Sequence, residues 1–114
     1  MGIIDFVFNA IIGFLNFVKG LVKTIIRGIL NFAKDVVNYF KNLNLTQGKD
    51  IPFIAQGEQF KELIKNAPNK NVGIFEGVYN EVEDEITEAQ YIGADQVDQQ
   101  TRNVLGDEQL VTLS

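Results

Sequence analysis

Several residue types on which enzymes commonly depend are missing from this chain. It has no cysteine and no histidine, which removes the thiol nucleophile, the usual general base and the usual ligands of a zinc ion. The only serine is Ser114, so a serine hydrolase is effectively excluded. The glycines are scattered without the spacing of a phosphate-binding loop. The sequence therefore predicts a protein that is not an enzyme and that has no cofactor, metal site or small-molecule substrate.

A cleavable signal peptide is not predicted either. Asp5 stands where such a signal carries Lys or Arg, and no small-residue cleavage site follows the first apolar run. A single lipid-exposed span is disfavoured, because Asn9 and Asn16 interrupt the longest uncharged run of this region. A helix lying in the membrane interface, or several helices that hide their asparagines from lipid, remains compatible with the sequence. We expect the protein on a membrane or in a large assembly.

The charge of the chain is unevenly distributed. The formal net charge is −5, but residues 1–46 hold five basic against two acidic residues, whereas residues 47–114 hold five basic against thirteen acidic ones. A nucleic-acid-binding domain needs a basic face, which this distribution does not provide. The positive first part suits an anionic membrane surface. Lysines that keep a helix soluble before it packs explain the same charge equally well.

An eleven-residue repeat over residues 3–46 is the strongest pattern in the sequence. The four blocks read IIDFVFNAIIG, FLNFVKGLVKT, IIRGILNFAKD and VVNYFKNLNLT. Eleven residues make three turns of a helix at about 3.67 residues per turn, so equivalent positions keep their direction along the whole length. The apolar positions cover well over half of the circumference, more than a globular surface helix needs. Residues 1–46 are therefore predicted to form one long amphipathic helix.

The apolar side of this predicted helix is the candidate functional surface. A helix of this length extends well beyond what a small domain can cover, so we expect the remainder to meet lipid or other copies of the protein. The predicted membrane or assembly face consists of Ile3, Ile4, Phe6, Val7, Phe14, Leu15, Phe17, Val18, Ile25, Ile26, Ile29, Phe32, Val36, Val37 and Phe40, and its basic flank of Lys19, Lys23, Lys34 and Lys41.

The rest of the chain has the pattern of a small acidic head domain over 51–114, joined to the helix by a linker at 47–50. Its order of elements, strand-helix-strand-strand-helix-strand, matches a split βαβ fold, so the predicted fold class is α+β. We also expect this head to fold without the helix. Strands are predicted at 51–54, 72–79, 86–94 and 109–113, and short helices at 57–66 and after a capping Asp95.

One acidic run, Glu81, Glu83, Asp84 and Glu85 with Glu88, falls in and beside the predicted hairpin loop. It lacks the glycine and the distal glutamate of an EF-hand. A solvated hairpin tip is therefore favoured over weak calcium binding.

Two resemblances bear on the first part of the chain. The opening MGIID, followed by a helix rich in Phe, Ile, Lys and Asn, resembles small membrane-active bacterial peptides of the phenol-soluble modulin kind, and eleven-residue amphipathic repeats also occur in apolipoprotein-like and synuclein-like helices. The plan of a long apolar helix before a small β-containing head is similar to that of pilin subunits. These resemblances imply lipid binding or assembly.

The function predicted from the sequence is that of a non-enzymatic, self-assembling structural subunit. Its repeat helix would pack with other copies, on a membrane or in the core of a filament or ring, and would display the acidic head. The alternative is a membrane-permeabilising, toxin- or pore-like protein in which the helix is the active segment. A small enzyme anchored by its helix is a weaker alternative, since no cleft can be argued. The expected partners are further copies of the chain and membrane lipid.

Overall fold

A computed structural model describes residues 2–113 and places five strands in one mixed sheet. The strand order is β1-β4-β3-β2-β5, in which β1 runs parallel to β4 and the other pairs are antiparallel. The elements are α1 (Ile3–Phe17), β1 (Lys23–Leu30), a π-helical segment (Phe32–Val37) that continues into α2 (Asn38–Lys41), β2 (Asp50–Gln56), a 3₁₀ helix (Gly57–Leu63), β3 (Val72–Asn80), β4 (Glu85–Val97), α3 (Gln99–Leu105) and β5 (Leu110–Thr112).

The predicted helix over residues 1–46 is wrong, because the chain reverses direction after fifteen helical residues. Lys19 and Gly20 adopt positive φ angles of 56° and 74°, a conformation that ends a helix and that glycine adopts without strain. Gly20 is also buried. A Cβ atom there would lie 2.6 Å from the carbonyl oxygen of Leu63, so the turn fits only a residue without a side chain.

The reversal buries apolar side chains that a single straight helix would leave exposed to water. A single helix would expose most of its apolar circumference to water, whereas the folded segment places α1 on one face of the sheet, β1 within the sheet and the π-helical segment on the other face. The β-branched Ile25, Ile26 and Ile29 suit an extended strand better than a helix. Burial by tertiary contacts therefore outweighs the helical periodicity of the repeat. No helix within residues 2–113 is long and apolar enough to cross a membrane.

Each face of the sheet carries its own apolar core, and both cores draw on the two sides of the predicted linker at 47–50. On the first face, Val7, Ile11 and Leu15 of α1 pack with residues of β2, β3 and β4. The second core brings Leu30, Phe32 and Val36 together with residues of the same strands and of α3. We therefore now expect that residues 47–114 alone would lack part of both cores.

The second half of the chain follows the predicted order of elements with a different sheet topology. The β3–β4 hairpin is present, with its turn at 81–84. The split βαβ arrangement is not formed, because β2 pairs directly with β3 in antiparallel fashion, and a fifth strand, β1, joins the sheet. The helix predicted at 57–66 is a shorter 3₁₀ helix. Asp98, and not Asp95, caps α3, since β4 continues to Val97.

Two adjacent isoleucines of α1 test directly which face of the helix packs on the sheet. Ile11 is fully buried, whereas Ile12 is 41% exposed. Ile11→Ala should lower the free energy of unfolding by about 2–5 kcal/mol, because it leaves a cavity in the first core. Ile12→Ala should change it by no more than about 0.5–1 kcal/mol. Urea denaturation of both variants measures the difference, and equal effects would contradict the packing of α1 described here.

Candidate functional site

The predicted membrane or assembly face does not exist as one surface, because the reversal at Gly20 distributes its residues over both cores and the exterior. The four lysines of the predicted basic flank are exposed but belong to different elements. Of the predicted face, Val7, Leu15, Phe32 and Val36 are buried, Ile4, Phe14, Val18, Ile25 and Phe40 are half-buried, and Ile3, Phe6, Phe17, Ile26, Ile29 and Val37 are exposed.

Strand β1 forms one edge of the sheet and, among the strands of residues 2–113, is paired only with β4. It is eight residues long, and Ile26 and Ile29 are 60% and 61% exposed. Edge strands are usually protected from pairing by charged side chains. Here the guanidinium of Arg27 is bound to the carboxylate of Asp35, with Nε to Oδ1 at 3.0 Å. Lys23 is therefore the one charged residue of β1 that is not engaged in an ion pair within the described residues.

The start of β4 offers a second open edge. β1 begins its pairing at Lys23 opposite Gln90, so residues 85–89 have β3 as their only strand neighbour in the described part of the chain. Within residues 2–113, no backbone hydrogen bond outside the strand ladders involves them. The chain leaves the edge here because the turn at Gly20 carries it back to α1, and the oxygen of Gly20 accepts a hydrogen bond from the backbone N–H of Lys65.

An apolar groove of about 830 Å³ lies beside this second edge. One wall of the groove is a single face of α1, on which Phe6, Ala10, Gly13 and Phe17 lie at successive turns of the helix. Asp84 and Glu85 give its β4 wall an acidic end. The groove is lined by Phe6, Asn9, Ala10, Gly13, Phe14, Phe17, Val18, Asp84, Glu85, Ile86 and Thr87.

Asp84 also closes the hairpin turn from within. Its carboxylate accepts a hydrogen bond from the Tyr79 hydroxyl, and this bond is the main reason why the pKa of Tyr79 is raised to about 12. The side-chain oxygen of Asn80 accepts from the backbone N–H groups of Val82 and Glu83. The acidic turn is thus ordered by its own hydrogen bonds. No three acidic side chains of residues 2–113 converge in a group that could hold a metal ion.

A fully buried carboxyl group, Glu76, lies on the opposite face of the sheet, and sequence reasoning missed it. Its Oε2 accepts a hydrogen bond from Nε2 of Gln90, and its Oε1 has no hydrogen-bond partner among the described residues. Burial raises the pKa of Glu76 to about 8; the hydrogen bond from Gln90 acts against this shift and the charge of Asp35 adds to it. The one signal in the sequence was a single acid inside the otherwise uncharged run from 72 to 80.

Tyr39 of α2 lies near the same group. Burial raises the pKa of its phenol well above the ordinary value, and the charges of Glu76 and Glu88 add to the shift. Glu76 and Gln90 are 0% and 5% exposed and lie near the π-helical segment and α2, so we assign them a structural role.

Asp98 joins β1 to the start of α3. Its carboxylate accepts hydrogen bonds from the backbone N–H of Phe32 at 3.0 Å and of Thr101 at 3.0 Å, while its own backbone N–H donates to the oxygen of Leu30 at 2.9 Å. Burial acts to raise the pKa of Asp98, but the hydrogen bonds from Thr101 and Phe32 outweigh it and lower the pKa. This residue fixes the end of the β1 edge.

Comparison with protein families, with curated proteins and with solved structures found no match. The site is therefore described by its own geometry: two open strand edges on one side of the sheet, exposed isoleucines on the first and an acid-ended apolar groove beside the second.

Glu76 makes the stability of the fold depend on pH. The folded protein keeps this proton up to about pH 8, whereas the unfolded chain releases it above about pH 4.5. The folded state therefore binds more protons between these values, and its stability should fall as the pH rises through this window, by at most about 1.4 kcal/mol per pH unit, and then level off.

Glu76→Gln tests this dependence, because the amide keeps an acceptor for Gln90 and cannot ionise. Thermal unfolding followed across the same window should show a variant whose stability falls less steeply with pH than that of the wild type, with the gap widest near pH 8. Glu108→Gln, at an exposed loop position, is the matched control. Parallel pH profiles for the wild type and Glu76→Gln would show that Glu76 is ionised throughout.

Proposed function

We propose that this protein is a non-enzymatic structural subunit that assembles with copies of itself through the edge of β1. One observation carries the proposal: β1 is an eight-residue edge strand that leaves Ile26 and Ile29 exposed. An unpaired edge of this kind is a template for another strand. Leu21, which is 66% exposed, lies two residues before the strand and extends the exposed apolar sequence at its start.

The charges of β1 are compatible with pairing to a second copy. Arg27 is neutralised by Asp35 within its own chain, which leaves Lys23 at one end of the strand. In an antiparallel pair with its two-fold axis at Ile26, each Lys23 lies opposite Ile29 of the partner, so the Cα atoms of the two Lys23 residues are about 20 Å apart along the strands, at about 3.3 Å per residue. Such a pair brings apolar residues together near its centre and joins two sheets into one.

The assembly mechanism thus differs from the one predicted from the repeat. In place of parallel helices packed along their lengths, the contact is a strand edge supplemented by exposed side chains. The membrane-permeabilising alternative receives no comparable support, because the segment that would enter lipid forms a helix of fifteen residues and a strand of the sheet.

A charge on the edge should prevent assembly. We expect wild-type protein to form dimers or larger species as its concentration rises, and the double variant Ile26→Asp/Ile29→Asp to remain monomeric, with a dissociation constant at least about tenfold higher, since about 1.4 kcal/mol corresponds to a factor of ten. Both side chains are exposed, so the monomer should still fold. Val82→Asp, at a turn residue that is 69% exposed, is the control. Sedimentation velocity measures the masses.

Amide hydrogen exchange identifies the contact. If copies pair through β1, the amides of residues 23–30 should become protected as concentration rises, whereas those of β5 at the other edge should not. A wild type that stays monomeric at all concentrations would sink the proposal. Oligomers in which β1 amides exchange as fast as in the monomer would do the same, and binding to vesicles without self-association would favour the membrane alternative.

A further inference from the structure

The open edge of β4 and the groove beside it form one feature that the assembly through β1 does not use. Residues 85–89 lack a strand neighbour on the side of β1, and the groove is lined by the first of these residues, Glu85 to Thr87. Five residues of an added strand span about 16 Å. The volume of about 830 Å³ lies within the range of about 300–1,000 Å³ that is usual for ligand pockets.

The two faces of this open edge differ in chemistry. On the α1 side, the side chains of Phe6, Phe14 and Phe17 line the groove, and Ile86 packs into the first core. The β-bulge between Val78 and Tyr79 in the pairing with β4 brings Glu88 opposite Val78. Side chains of a strand alternate between its two faces. The charge of Glu88 contributes to the raised pKa of Tyr39 in α2, which covers the other face of the sheet. Glu88 therefore lies on the face opposite the groove.

From this geometry we propose that residues 85–89 bind an extended peptide segment in which apolar and basic residues alternate. The segment would add a strand beside β4, in the position that β1 leaves vacant. Its backbone would complete the free edge, its apolar side chains would enter the groove along α1, and its Lys or Arg side chains would meet Glu88 and the acidic end at Asp84 and Glu85.

Charge complementarity is the reason for choosing a basic partner. The turn and the start of β4 contain Glu81, Glu83, Asp84, Glu85 and Glu88 without an intervening Lys or Arg, and no salt bridge of the described residues neutralises any of them. Main-chain pairing supplies affinity in this mode of recognition, and alternate side chains supply specificity. An acidic segment would meet like charges at close range and be rejected.

A synthetic peptide tests the proposal, because the protein has no tryptophan. The probe is an acetylated and amidated peptide of sequence Lys-Val-Lys-Trp-Lys-Val-Lys, whose tryptophan fluorescence reports binding. We expect saturable binding, with new protection of amides in residues 85–89, and at least tenfold weaker binding of the peptide in which every Lys is replaced by Glu. Two further peptides are N-methylated on alternate residues, one in each phase, and only the peptide that keeps its donors toward β4 should bind.

Two variants locate the peptide. Gly13 lines the groove, and a Cβ atom added there meets nothing within 4 Å, so Gly13→Leu should fill the groove without harming α1, since leucine favours a helix over glycine. It should weaken binding about tenfold or more. Asn16→Leu, exposed on the same helix but outside the groove, should leave binding unchanged. Glu88→Lys should weaken binding of the basic peptide, and Glu108→Lys should not.

The outcomes separate clearly. No binding at about 1 mM peptide would overturn the proposal, because it would show that there is no peptide site. Equal binding of the two N-methylated peptides would overturn it too, because it would show that the peptide does not pair with the backbone of β4. Equal binding to Gly13→Leu would place the peptide outside the groove and overturn it as well. Carrying out the titration on Ile26→Asp/Ile29→Asp keeps this result independent of assembly through β1.

Discussion

The reversal of the chain at Gly20 is the constraint on which the rest of the structure depends. Gly20 adopts a positive φ angle and lies so close to the backbone of Leu63 that no side chain would fit there. Because the chain turns there, α1 and β1 pack on and into the same sheet, and one strongly apolar segment contributes to cores on both faces. The same turn ends the pairing of β4 with β1 at Gln90, which leaves the start of β4 without a neighbour.

Both open edges follow from this arrangement. The fifth strand, β1, comes from the segment before residue 47 and forms an outer edge of the sheet next to β4. Because β1 is shorter than β4, the start of β4 extends beyond it and the edge has a step. The exposed isoleucines lie on the outer part of the step and the apolar groove lies beside its inner part. Proteins normally protect such edges with charges, yet here Arg27 is held by Asp35 of its own chain. Two stretches of unpaired backbone, each beside apolar side chains, therefore lie on one side of the sheet.

The interior adds a second constraint. Glu76 is buried between the sheet and the helical segments; one of its oxygens accepts a hydrogen bond from Gln90, and the other has no partner within residues 2–113. A buried carboxylate without a positive partner is unstable, so the group holds its proton near neutral pH. The π-helical segment and α2 cover this group, and the hydrogen bonds of Asp98 to Phe32 and Leu30 fix the point where β1 ends and the π-helical segment follows. The stability of this packing therefore depends on the protonation of a group that is buried from solvent.

Local sequence determined the class of the fold and several of its elements. Alternation and turn residues specified the β3–β4 hairpin, and Gly106 the end of α3. The absence of histidine and cysteine limited the chemistry. Only the tertiary structure decided whether the eleven-residue repeat became a helix, because a short apolar run suits a buried strand as well as a helix and periodicity alone does not distinguish them. Ile11 and Ile12, or Ile25 and Ile26, look alike in the sequence, and their different burial arises from the packing around them. The open edges depend on which strands pair, and strand pairing between distant segments is not written in any local pattern.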